Sequence, residues 1–104
     1  MSAERVWGRL MEEANEQPLQ LKTKTGLNFN LISDDEFLIV KNSELAPSTK
    51  LKMQRKIQKE NFIKVYPYFE RKKSNEFGLS KEILKITVNS VYIFDAIEYA
   101  LHPD

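Results

Sequence analysis

The chain has 104 residues, 41% of them apolar and eleven aromatic, with a net charge of +1, one histidine and no cysteine. That length is where one core is the common outcome, so a single domain over 1–104 is expected, and the aromatic content excludes a chain too polar to fold. Without thiols there are no disulfides, thiolate metal sites or cysteine nucleophiles, which suits a reducing, cytoplasmic setting. No signal-like leader and no run of about 18 apolar residues points to export or to a membrane.

Ala3, Val6, Trp7, Leu10, Met11 and Ala14 repeat at the spacing that lines one helix face, which predicts a helix over 3–16. Ser2 is placed to cap it, Glu4 suits the positive end of its dipole, and Pro18 stops it. Gly8 inside that helix costs about 1 kcal/mol against alanine, which implies compensating packing or a close neighbour. From Leu19 the period becomes two. Leu19, Leu21 and Thr23, then Leu27, Phe29 and Leu31, alternate with polar residues about Thr25–Gly26, and Ser33–Asp34–Asp35–Glu36 makes a second turn before Phe37–Leu38–Ile39–Val40. A three-stranded antiparallel meander follows.

Residues 42–49 read as a loop around Pro47. Leu51, Met53 and Ile57 suggest a fourth strand near 50–57, with one long basic helix over 48–66 as the competing reading. A helix from about Lys59 carries Phe62, Val65, Tyr66 and Phe69 on one stripe. Pro67 lacks an amide proton and should end or kink it at Tyr66. The charged stretch 70–79 reads as an exposed, mobile loop. Ser80 is a candidate cap for a short turn over 81–85, and Asn89 or Ser90 for a last helix over 91–101 that is apolar nearly all round. The fold class is α+β: an N-terminal helix, an antiparallel sheet of three to four strands, then one or two C-terminal helices.

Nothing in the chain is set out for catalysis. His102 stands next to Pro103 near the chain end, and zinc would have to rely on carboxylates that suit harder cations. Asp34, Asp35 and Glu36 are the densest acidic cluster and could hold calcium or magnesium, but aspartates also favour such turns for their side-chain bonds to the backbone. Glu70-Arg71-Lys72 spells the E-x-K fragment of a nuclease site, which belongs on a strand. The expectation is a protein with no catalytic residues, no metal and no cofactor.

Charge is unevenly spread. Lys50 to Lys73 holds nine basic residues against Glu60 and Glu70, a balance of +7, which leaves −6 for the remainder. Lys52, Arg55, Lys56, Lys59, Lys64, Arg71, Lys72 and Lys73 are candidate phosphate contacts, and Tyr68, which falls off the apolar stripe, is a candidate base-stacking ring. The plainer reading is that the rings face the core and the cations are the solvated side of the same elements. The favoured function is a non-enzymatic, nucleic-acid-associated accessory module acting through 50–73. The alternative is a protein-binding or self-associating module, such as a homodimer, built on the apolar last helix or on Trp7.

Leu27-Asn28-Phe29-Asn30-Leu31, Asp34-Asp35-Glu36-Phe37-Leu38-Ile39, Arg55-Lys56-Ile57-Gln58-Lys59-Glu60-Asn61-Phe62 and Asn89-Ser90-Val91-Tyr92-Ile93-Phe94-Asp95-Ala96-Ile97 follow the first helix in that order. Together they resemble a loose pattern in small uncharacterised bacterial domains that occur alone or near restriction and other mobile-element genes. The resemblance implies a compact α+β, winged-helix-like module in a DNA-associated setting. It carries no catalytic residues across.

Overall fold

In a computed structural model, the structure describes residues 2–23, 26–43, 54–73 and 79–102. The elements are α1 (Ala3–Glu16), β1 (Leu19–Lys22), β2 (Asn28–Asp34), β3 (Phe37–Asn42), β4 (Arg55–Ile57), α2 (Lys59–Lys73), α3 (Leu79–Ile86) and α4 (Ser90–Leu101). The four strands form one antiparallel sheet in the order β1-β2-β3-β4. Among the described residues, no helix is long and apolar enough to cross a membrane.

α1 begins where its cap dictates: the Arg5 amide donates to Ser2 Oγ at 3.2 Å and the Val6 amide to the Ser2 carbonyl. Its apolar stripe is buried, and Trp7, at 5% exposure, packs on Phe62 with ring centroids 5.2 Å apart. Trp7 is a core side chain of the chain itself. Gly8 is exposed, and a Cβ built there meets nothing within 4 Å. The close neighbour expected at that glycine is absent among the described residues.

Gly26 has φ +95°, in the region open to glycine. Around it Thr23 closes the reversal three ways: its amide donates to the Leu27 carbonyl, its carbonyl accepts from Gly26, and its Oγ1 accepts from the Leu27 amide at 2.9 Å. The second turn is shorter than the sequence suggested. Asp34 pairs with Phe37, so only Asp35 and Glu36 lie between the strands, and Asp35 takes φ 58°.

The register puts Leu19, Leu21, Phe29, Leu31, Leu38, Val40 and Ile57 on one side of the sheet. α1 covers β2 and β3 there, α4 covers β1, and α2 packs on α1, α3 and α4. Buried residues from all eight elements join in one cluster. α4 buries Tyr92, Ile93, Phe94, Ala96, Ile97 and Ala100, so its apolar surface is mostly spent inside the molecule and only Val91 is left well exposed.

Four expectations need correction. α2 does not stop at Tyr66 but runs through Pro67 to Lys73. Pro67 is exposed, so the Ile63 carbonyl it leaves without a partner is on the side open to water, while continuing the helix buries Phe69 against Phe94 at 6.1 Å. Residues 70–73 are therefore the last turn of α2 and not loop, and Ser80 lies inside α3 rather than ahead of it. The competing basic helix over 48–66 is not formed: 55–57 is strand and helix begins at Lys59. The remaining parts of the expected loops, 44–49 and 74–78, and the first part of the expected fourth strand, 50–53, lie outside the described residues.

At the α1–α4 contact, Tyr99 Oη donates to Glu13 Oε1 at 3.1 Å, and Arg9 Nε bonds the other carboxylate oxygen of Glu13 at 3.2 Å. Burial, then the bond to Glu13 and its charge, raise the Tyr99 phenol above its ordinary pKa, with Arg9 opposing.

The two glycines make opposite predictions. Gly8→Ala should stabilise by about 1 kcal/mol, whereas Gly26→Ala should destabilise by about 1–2 kcal/mol because its backbone conformation is the one side chains resist. Urea melts of both variants check this. A phenol raised in the folded state contributes its full stability below the unfolded tyrosine value and loses it as pH climbs through the folded one. Stability should therefore fall from about pH 10 upward, and Tyr99→Phe should show a shallower fall in melts at about pH 9 and about pH 11.

Candidate nucleic-acid interface

Among the described residues, the basic side chains of the central segment do not all lie on one face. Arg55 and Lys56 are neighbours on a strand, so they project to opposite sides of the sheet. Arg55 turns to the helical side, where one guanidinium nitrogen donates to Asn89 Oδ1 at 3.2 Å and the group lies 5.8 Å from the centre of the Tyr92 ring. It is a structural cation that ties the edge strand β4 to the start of α4. Asn89 is the residue ahead of α4, yet its side chain makes no capping bond, being engaged by Arg55 instead.

Along α2 the described cations Lys64 and Arg71 lie on one side of the helix, and each is met by a carboxylate. Lys64 pairs with Glu60 at 3.0 Å, one turn back, and Arg71 reaches Glu82 of α3 at 3.9 Å. Both pairs are well exposed and worth little in stability, but each sets a carboxylate beside a cation that was to meet phosphate. Tyr68 is half-buried against the core, with the Arg71 guanidinium 5.0 Å above its ring. That ring face is covered. Lys59 is exposed at the start of α2, Lys72 and Lys73 lie in its last turn, and Lys52 is outside the described residues.

A different set shares one side of the sheet. The register places Gln20, Lys22, Asn28, Asn30, Lys41 and Lys56 on the side of the sheet away from the helices, with Ile32, Phe37 and Ile39. Lys22, Lys41 and Lys56 are all exposed, and none is in an ion pair among the described residues. Lys56 Nζ lies 4.4 Å over the Phe37 ring, so that aromatic and that cation form one unit. Ile39, at 2% exposure, forms an apolar floor beside half-buried Ile32. Asn30 sits between Gln20 and Lys41, and its Oδ1 is shielded from solvent without a hydrogen-bond partner. Asp34, at the hairpin end, is the one carboxylate among the strand residues of this side.

Lys22 and Lys41 were absent from the sequence-based set because they lie outside the +7 segment. The signal that finds them is strand alternation joined to pairing: once Leu21 and Val40 face the core, Lys22 and Lys41 must face away.

The other chemistry-bearing residues separate. Asp34, Asp35 and Glu36 are exposed at the β2–β3 turn, and no group of three or more metal-ligating side chains forms among the described residues. Glu70 to Lys72 lie on a helix, whereas the nuclease fragment needs a strand. His102 ends α4, exposed, its backbone amide donating to the Glu98 carbonyl.

No family model matches the sequence, and neither a curated protein nor a solved structure proves similar to it.

The division of labour between adjacent cations is measurable. Arg55→Ala should cost about 1–2 kcal/mol of stability, from a charged hydrogen bond and the contact with Tyr92. Lys56→Ala should stay within about 0.5 kcal/mol of the parent. Thermal or urea melts of the two single variants check the contrast.

Proposed function

We propose that this chain is a small non-enzymatic module that associates with nucleic acid, through the lysine-bearing side of its sheet rather than through the 50–73 segment as a whole. The observation that carries the reading is the placement of Lys22, Lys41 and Lys56, from three different strands, on one face with no ion pair among the described residues. Free ammonium groups release counterions from phosphate on binding, and charge already held by a carboxylate does so less.

The remainder of the face favours a single strand over a duplex. Gln20 and Asn28 carry amides that can bond base edges. Phe37 adds one ring, and among the described residues no helix lies on this side of the sheet to enter a groove. Three phosphate contacts give modest affinity and little sequence preference, as fits an accessory module.

Fluorescence anisotropy with labelled single-stranded and duplex DNA tests this. The single strand should bind more tightly, and its affinity should fall roughly 20-fold between about 50 and about 200 mM salt, as three phosphate contacts require. The triple variant Lys22→Ala, Lys41→Ala, Lys56→Ala should lose that salt dependence, while Lys64→Ala and Arg71→Ala change little. Absence of salt-sensitive binding at micromolar protein sinks the proposal, and so does a loss from Lys64→Ala or Arg71→Ala as large as that from the triple variant.

A further inference from the structure

We infer that the elbow between α3 and α4 is a docking site for an acidic amphipathic segment of another protein, separate from the lysine face and independent of what that face binds. Among the described residues the exposed large apolar side chains are Leu84 at 60%, Val88 at 68% and Val91 at 49%. All three fall within eight consecutive positions, on the two arms and the apex of one elbow. Isolated exposed apolar residues are ordinary on any surface; what calls for a cause is that every such residue described here lies in one place.

The elbow is held rigidly enough to present them. Thr87 at its inner side is buried, its amide continues the α3 ladder to the Ile83 carbonyl, and its Oγ1 accepts from the Asn89 amide at 3.0 Å. Arg55 then fixes Asn89 from β4. Val88 is thus turned outward by a connection whose neighbours are all engaged, and it contributes nothing to the core. A polar residue at that apex would fold as well.

Charge selects the occupant. Lys81 and Lys85 lie one turn apart on α3 and flank Leu84; both are exposed and neither is in an ion pair among the described residues. The one α3 carboxylate, Glu82, faces Arg71, and Asp95, one turn beyond Val91, is half-buried. A second copy of this chain is disfavoured as the partner, because a two-fold contact on this patch would set the Lys81 and Lys85 rim against itself. An acidic segment with apolar residues at helical spacing fits both features, its apolar side chains on Leu84, Val88 and Val91 and its carboxylates on the two lysines. So small an anchor implies a weak, transient contact.

The test is an amide NMR titration of the full chain with a short synthetic peptide carrying leucines at helical spacing and glutamates on its flanks, beside a sibling with lysines in place of the glutamates. The acidic peptide should shift the amides of Leu84, Val88, Val91, Lys81 and Lys85 and saturate. Leu84→Asp should abolish the effect with the rest of the spectrum in place, and Val88→Asp serves if that variant fails to fold. Lys81→Glu with Lys85→Glu should weaken binding at least about tenfold. The inference is overturned if these amides do not move up to about 1 mM peptide, if the lysine sibling binds equally well, or if the same amides move with protein concentration alone, which would make the occupant a second copy.

Discussion

Register across four antiparallel strands decides which side chains meet the helices and which do not, because neighbouring positions on a strand face opposite ways. Leu31 opposite Val40, and Leu38 opposite Ile57, lock β2, β3 and β4 with their apolar sets toward α1 and α4. A slip of one residue would carry Lys41 and Lys56 into that layer, each an unpaired charge with no route to solvent. The core therefore enforces the lysine face: burying Val40 and Ile57 is what turns Lys41 and Lys56 outward. The same alternation gives adjacent cations different work, Arg55 bracing the helical layer and Lys56 standing over Phe37.

The helical layer is joined by rings. Trp7 meets Phe62, Phe62 meets Tyr66, Phe69 meets Phe94, and Phe29 meets Tyr92 edge-on at 5.1 Å. These contacts link α1 to α2, α2 to α4, and β2 to α4, and they account for the continuation of α2 past its proline. Losing the Ile63 carbonyl bond costs about 3 kcal/mol or more in a buried helix. Here that carbonyl is near solvent, and burying a phenylalanine such as Phe69 returns about 1.5–3 kcal/mol.

Much of the architecture was legible in the residues. α1 is bounded by Ser2 and Pro18, the meander follows from alternation about Gly26 and Asp35, and the stripe of Phe62, Val65 and Phe69 is buried as its spacing required. What was not legible is long-range. Whether Pro67 ends a helix depends on which side of the helix it falls and on what lies beyond it, and neither is a local property. The candidate site was read from density of charge along the chain, but phosphate responds to density in space. Lys22, Lys41 and Lys56 come from three strands, and only the pairing of Leu21 with Phe29, of Leu31 with Val40 and of Leu38 with Ile57 shows that they share a face. Within the basic segment, Glu60 and Glu82 were invisible as partners until helix spacing and the α2–α3 contact placed them.

A chain of net charge +1 cannot steer an anion from a distance, since opposed charges cancel beyond about a Debye length of 10 Å. Recognition then rests on patches whose charges lie within that distance and are not already paired. By that criterion the most basic stretch of sequence is a poor candidate: Arg55 is committed to Asn89, Lys64 to Glu60 and Arg71 to Glu82. Among the described residues, two sets of cations without an ion pair share an element, one on the sheet and one on α3, while Arg5 and Lys59 stand apart. Their surroundings differ in kind. The sheet lysines sit among amides and one ring, a setting for a polyanion with base edges to satisfy, while the α3 lysines border bare aliphatic side chains, a setting for carboxylates that bring apolar anchors of their own. One small core thus holds apart two positive surfaces that need not compete for the same partner.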